Sequence, residues 1–263
     1  MRIALGLEYD GSRFLGWQTQ PGGGTVQDAL EAAIAGIAAV PAAVTCAGRT
    51  DRGVHAREQV VHFDTGAERP ASAWVRGVNA LLPESIAVLW SCEVDGGFHA
   101  RYGALARTYR YVLVERPVRP ALASRHVGWF HHALDVGAMR EAASHLIGEQ
   151  DFSAFRSAEC QAKSPVRRLH SLQIERCGER IDFVLRANAF LHHMVRNLVG
   201  TLVYVGKGKH SPGWAREVLD SRDRSAAAPT FSPEGLYLES VEYDARWNLP
   251  LMKRAALEMP ILG

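Results

Sequence analysis

The chain has 263 residues, 47 % of them hydrophobic and 22 % charged, an ordinary globular composition that excludes a disordered polypeptide and allows one large domain or two small ones. A formal net charge of +2 is too small to make the whole surface a polyanion-binding one, so any such surface has to come from local bias. The acid at Glu8 comes too early for a signal peptide, and the most apolar later stretch, 190–206, is interrupted by His192, His193, Arg196 and Asn197, which argues against a membrane span and points to the cytoplasm.

In chain order, Ile3, Leu5, Leu7 and Tyr9 alternate with smaller or polar residues and predict a strand over 2–9, stopped by Asp10-Gly11-Ser12. Residues 13–18 lead into the flexible Pro21-Gly22-Gly23-Gly24. Thr25 then caps a helix, with Asp28 in capping-box position and Val26, Leu30, Ala33 and Ile37 on one face. Strands are expected near 43–47 and 58–64, a helix over 73–82 ended by Pro83, and a strand over 86–94. The order is β-α-β-β-α-β.

The second half repeats that order with additions. It reads as a strand over 108–115, an extra strand within 125–130, a helix over 135–147, and a hairpin of 167–176 and 180–188 around Cys177-Gly178-Glu179. A long helix over 190–205, a short one started by Ser211-Pro212 and a last strand over 236–243 follow. The expected fold is α+β: two tandem split βαβ units, of the ferredoxin or RNA-recognition kind, forming one extended, mostly antiparallel sheet with helices on one face and a basic cleft on the other. The expected division is an N-terminal subdomain over 1–105, a C-terminal subdomain over 106–244 and a tail over 245–263.

The stretch Gly48-Arg49-Thr50-Asp51-Arg52-Gly53-Val54-His55-Ala56 is a glycine-bracketed loop between two β-prone segments, on the rim of a sheet, where reactive side chains are often presented. Arg49 and Arg52, close to Asp51 in sequence, favour an ionised carboxylate of the kind a nucleophile or base requires. On residue chemistry alone the same loop also reads as a turn with an acid between solvated arginines.

Other residues carry comparable alternatives. Between Arg101 and Arg125 lie Arg107, Arg110, Arg116 and Arg119 against the single acid Glu115, and 189–215 holds no acid, so phosphate contact and a plain solvated surface both fit. Alternation sends Tyr109 and Tyr111 to one strand face, as core aromatics or as a ring that stacks on an unstacked base. Arg196 shares a helix face with Val199, Gly200 and Val203, which suits a covered guanidinium with a carboxylate or phosphate partner, or an ordinary ion pair. The four cysteines Cys46, Cys92, Cys160 and Cys177 lack Cys-x-x-Cys spacing, and the adjacent pairs His131-His132 and His192-His193 lack ligand spacing, so no metal is expected. No phosphate-loop or serine-elbow signature occurs. One carboxylate, a few arginines, a tyrosine and no cofactor suit a reaction at a nucleoside's glycosidic bond.

The segments Tyr9–Gln18, Ala47–Ala56, Arg107-Thr108-Tyr109-Arg110-Tyr111, Phe190–Gly200 and Glu234-Gly235-Leu236-Tyr237-Leu238, in this order over about residues 2–244, resemble the tRNA pseudouridine synthase A family. The resemblance implies isomerisation of uridine to pseudouridine at positions 38, 39 and 40 of the tRNA anticodon stem-loop, without metal or cofactor, by a homodimer. It implies that Asp51 is the nucleophile and that Tyr109 stacks on the target uracil. By the same resemblance Arg49 and Arg196 look like the residues that hold the carboxylate or occupy the space of the flipped base, and Leu236 looks like a wall of the pocket. Arg52, Arg107 and Arg110 are expected as further substrate contacts. Rival readings are a non-catalytic RNA-binding platform and a nucleoside hydrolase, although the latter usually brings a second carboxylate.

Overall fold

The computed structural model describes residues 1–250, so the part of the expected tail beyond 250 lies outside the described residues. The elements of the first part are β1 (Arg2–Tyr9), α1 (Val26–Ala38), β2 (Thr45–Cys46), β3 (His55–Asp64), α2 (Val78–Leu81) and β4 (Ile86–Val94). Then come β5 (Ala104–Glu115), β6 (Gly128–Phe130), α3 (Val136–Ser144), β7 (Gly148–Asp151), β8 (Val166–Cys177), β9 (Arg180–Ala187), α4 (Met194–Gly206), α5 (Trp214–Ser221) and β10 (Leu236–Tyr243). The chain divides into two compact units: Met1–Leu105 together with the described residues from Tyr237 onward, and Ala106–Leu236.

In the first unit, β1 pairs antiparallel with both β4 and β3, and β2 adds antiparallel to β3, which is the strand order of a split βαβ sheet. β10 joins the same unit by running parallel to β3, with Tyr237 opposite His55 and Leu238 opposite Ala56. Because β1 and β3 are central, both their faces are covered, and Leu5, Leu7, Val60 and Val61 are all fully buried. Thr25 closes α1 with the expected capping box: its side chain accepts from the Asp28 amide, and Asp28 accepts from the Thr25 amide. The helix expected over 73–82 begins instead as a π-helical turn, Ala73–Gly77, before α2. That wider turn sets Trp74 against Phe63, their rings 5.3 Å apart and edge to face.

The second unit is a sheet in the order β5-β9-β8-β7, antiparallel throughout, with β6 added parallel to β5. β7 is not expected from the sequence, because Gly148-Glu149-Gln150-Asp151 has no apolar alternation; it forms by pairing with β8. α4 starts at Met194, four residues later than the sequence pattern predicts. Tertiary partners take the earlier residues out of the helix: Phe190 packs edge to face on Tyr109 at 5.0 Å, and the His192 carbonyl accepts from Ser157 N at 3.0 Å. His193 at the N-cap then takes φ 63, the left-handed region. Ser211-Pro212 form a turn in which the Ser211 carbonyl accepts from Trp214 N, and α5 begins only after it.

Candidate active site

The first unit carries Arg49, Asp51 and Arg52 on the loop between β2 and β3. Asp51 is half-buried, and Arg49 and Arg52 are exposed. Arg52 makes no hydrogen bond or ion pair among the described residues, so its charge is presented outward. Gly53 has φ 79 and lets the Val54 amide close a turn on the Asp51 carbonyl at 3.1 Å. The other glycine serves differently. Gly48 is clamped by the buried Gln59 amide, which accepts from Gly48 N at 3.3 Å and donates to Gly48 O at 2.6 Å.

The segment after β1 forms the bed of this loop. Tyr9 Oη and Thr50 Oγ1 lie 2.8 Å apart in a buried contact, and Gln59 Nε2 reaches the same Tyr9 oxygen at 3.4 Å. Trp17 N donates to the Thr50 carbonyl at 2.9 Å. Two glycines allow the backbones to approach this closely. A Cβ on Gly11 would lie 1.9 Å from Val54 O, and one on Gly16, whose φ is 103, would lie 3.0 Å from Thr50 O and 3.1 Å from Arg52 N. The loop residues on either side of Asp51 are therefore fixed by backbone and buried side chains, while the carboxylate itself remains partly accessible.

A histidine–carboxylate contact sits where the loop enters β3. His55 Nδ1 lies 3.1 Å from Asp10 Oδ1 and 3.1 Å from the Gly11 amide. These contacts are alternatives, since a proton on Nδ1 donates to the carboxylate and a bare Nδ1 accepts from the amide. Burial works to raise the Asp10 carboxyl, but the hydrogen bonds from His55 and Ser12 outweigh it and hold the group well below the usual carboxylate range. The His55 ring stacks on Tyr237 at 4.7 Å, and Arg57, two residues on along β3, pairs with Glu239, so β10 braces the strand that carries the loop.

The second unit carries Arg107, Tyr109, Arg110, Arg196 and Leu236. Along β5, Arg107, Tyr109 and Tyr111 share the buried side, whereas Thr108 and Arg110 are half-buried. Arg107 is 8 % exposed and donates from Nη1 to the Asn188 carbonyl at 2.9 Å. Arg110 Nη1 lies 3.8 Å from Asp182 Oδ1, a carboxylate that also binds Arg180 at 2.7 Å. Both strand arginines thus have work within the protein. Tyr111 is anchored by its hydroxyl to Ser232, at 3.0 Å from the carbonyl.

Arg196 is held at the start of α4 by Phe231, whose carbonyl accepts from Nε at 2.8 Å and whose amide donates to the Arg196 carbonyl at 3.2 Å. Beside it the fully buried Asn197 donates to Phe155 O at 2.8 Å and accepts from Arg224 at 3.0 Å and Thr230 at 2.7 Å. This network ties 229–231 to the helix and so fixes the Arg196 stem. Leu236 is buried, with its amide on the Pro233 carbonyl at 2.9 Å.

Sequence reasoning assigned no roles to Tyr9, Asp10, Thr50, His55, Gln59 or Asn197. The available signal was that Tyr9-Asp10-Gly11 and the Asp51 loop belong to the same set of family-like segments, which hinted that they meet.

Comparison with known proteins agrees with those segments. Residues 7–103 and 142–244 match the sequence pattern of a family described as tRNA pseudouridine synthase. The chain is 61 % identical over 250 residues to the tRNA pseudouridine synthase A of Aromatoleum aromaticum, covering 95 % of each chain. It is 58 % identical over 250 residues to the protein of that name from Dechloromonas aromatica, again covering 95 % of each. The protein of the same name from Burkholderia thailandensis is also 58 % identical over 250 residues, 95 % of this chain and 93 % of the other.

Proposed function

Because the chain belongs to the tRNA pseudouridine synthase family, we propose that it isomerises uridine to pseudouridine in tRNA, at positions 38, 39 and 40 of the anticodon stem-loop, with Asp51 as the nucleophile. We take it to act as a homodimer in the cytoplasm.

The observation that carries this reading is the setting of Asp51. Before it, Thr50 is pinned by Tyr9 and Trp17 and Gly48 by Gln59; after it, the Val54 amide closes a turn on the Asp51 carbonyl; yet Asp51 is only half-buried. A rigid loop that presents an accessible carboxylate lowers the cost of aligning a nucleophile with a bound base.

In the proposed reaction the target uridine leaves its stack, at a cost of a few kcal/mol, and Tyr109 and arginine contacts to phosphate offset that cost. Asp51 attacks C1′ of the sugar or the uracil ring, or removes a sugar proton, and the N1–C1′ bond breaks. The uracil turns and C5 bonds to C1′ as any bond made to Asp51 breaks, or any sugar proton it took is returned; the proton on C5 leaves while N1 gains one. Atoms and charge balance without an added reactant. Arg196, whose stem is fixed by Phe231, is the candidate partner of the carboxylate or of the vacated base position, together with Arg49. Leu236 is a candidate pocket wall, and Arg52, exposed and without a hydrogen bond or ion pair among the described residues, is a candidate phosphate contact. Arg107 and Arg110 would serve RNA from positions already tied to Asn188 and Asp182.

The test is incubation with full-length tRNA and with anticodon stem-loop RNA, followed by nucleoside analysis. Pseudouridine is expected at the three positions. Unchanged RNA would favour a non-catalytic RNA-binding platform, and free uracil would favour a hydrolase.

A further inference from the structure

A cluster of rings and cations at the far end of α4 has no part in the reaction above. The helix ends in a Schellman motif: Gly208 N donates to Val205 O at 2.8 Å and Lys209 N to Tyr204 O at 3.1 Å, with Gly208 at φ 75. This closure folds two lysines back over a ring of the last turn. The Lys207 ammonium lies 3.8 Å and the Lys209 ammonium 4.5 Å from the Tyr204 centroid. His210 and Trp214 stack on each other at 3.7 Å, and both rings lie within 20° of the Tyr204 plane. Lys207 also stands 6.0 Å from the Phe130 ring, beside the exposed His131 and His132.

Charge at this face is one-sided. Neither lysine forms an ion pair among the described residues, and the stretch 189–215 contains no acid. The one carboxylate that bears on His210 is Glu217, which acts against both lysines; burial and Lys209 still hold the imidazole below its ordinary value, so it stacks as a neutral ring. The negative end of the helix dipole explains a cation at this position. It does not explain two lysines gathered with three nearly parallel, half-buried rings, a combination suited to phosphates and bases. Eleven of the thirteen residues of α4 are buried, and the two that are not are Arg196 and Tyr204. Eight residues of helix put them about 12 Å apart. One helix therefore offers a candidate site residue near one end and this cluster at the other.

We propose that the Tyr204, Lys207, Lys209, His210 and Trp214 face is a second RNA-contact surface, where the two lysines neutralise backbone phosphates of the substrate outside the reacting nucleotide and the rings offer a stacking face. The inference rests on the RNA substrate proposed above.

The experiment measures binding of full-length tRNA by fluorescence anisotropy across a salt series, for the full chain and for the double variants Lys207→Gln/Lys209→Gln and Lys207→Arg/Lys209→Arg, with circular dichroism to confirm folding. The glutamine variant should bind about five- to twentyfold more weakly, with a salt slope shallower by about 1.8 for two lost phosphate contacts, and the arginine variant should bind as the parent does. An unchanged dissociation constant and slope for the glutamine variant would overturn the proposal, as would equal weakening by both variants. It would also be overturned if the glutamine variant altered the sedimentation of the RNA-free protein and left RNA binding intact, since the face would then join copies of the chain. Binding is read independently of turnover. A parent protein that binds tRNA through these lysines but forms no pseudouridine would refute the proposed reaction and leave this surface standing.

Discussion

The Tyr9 hydroxyl meets the Thr50 hydroxyl at 2.8 Å in a buried contact, so the residue that ends β1 holds the one that precedes Asp51. The two are 41 positions apart in the chain, and the contact links the two longest family-like segments of the first unit.

Tyr9→Phe removes that oxygen and leaves Thr50 and Gln59 each short of a buried partner. A loss of about 1–2 kcal/mol in stability is expected, from the cost of unsatisfied polar groups. Turnover should fall roughly tenfold through a displaced loop, with little change in KM. Urea melts and steady-state kinetics on tRNA check both, and an unaffected kcat would show that the loop is held by other contacts.

Gly16→Ala places a methyl against the backbone of Thr50 and Arg52 at a position whose φ of 103 already disfavours any side chain. No side-chain rotation relieves a clash with backbone. The expected cost is about 1–3 kcal/mol, together with a larger loss of activity than that cost alone would cause. Thermal melts compared with turnover well below the melting temperature separate the two effects.

Asn197→Ala deletes three hydrogen bonds of a fully buried side chain, to Phe155, Arg224 and Thr230. About 3 kcal/mol of destabilisation is expected, since Phe155 O loses the Asn197 donor and the Thr230 hydroxyl and Arg224 Nη2 keep only each other. Because Phe231 follows this network and holds Arg196, activity should fall as well. A denaturant midpoint within experimental error of the parent would contradict this account of how the Arg196 stem is fixed.

His62 gives the fold a pH dependence. Burial, then Arg2 and His99, push its imidazole down to about 4, and its Nδ1 accepts from Ala100 N at 3.2 Å, which protonation would forbid. A depressed folded-state value means that the unfolded chain takes up the proton first. The contribution is therefore fully present above about pH 6.5 and is lost as pH falls towards 4, up to about 3 kcal/mol. Chemical denaturation across pH 4–7 should show this slope, and His62→Gln should flatten it. Equal slopes for the two proteins would remove His62 as its source.

The sequence was most legible where the determinants are local. Thr25 and Asp28 three positions apart announce α1, and alternating Ile3, Leu5 and Leu7 announce β1, because each signal lies within one turn or one strand. Local patterns misplace the start of α4, where Phe190 is drawn onto Tyr109 and a non-glycine residue, His193, accepts a left-handed conformation. They miss β7, which is polar and is formed by its pairing with β8. The candidate loop was visible from its glycines and its acid. Its support was not, since Tyr9, Gln59 and Thr50 meet only after β1 and β3 pair.

The central claim is that the Asp51 carboxylate is the nucleophile. Asp51→Asn keeps the size and most of the shape of the side chain and removes the ionised oxygen, so the loop should still be held through Thr50 and Gly48. The direct measurement is pseudouridine content after incubating tRNA with excess Asp51→Asn protein, alongside its dissociation constant for the same tRNA. Tight binding with no pseudouridine is the predicted result, and pseudouridine formed by this variant at a rate near that of the parent would contradict the claim.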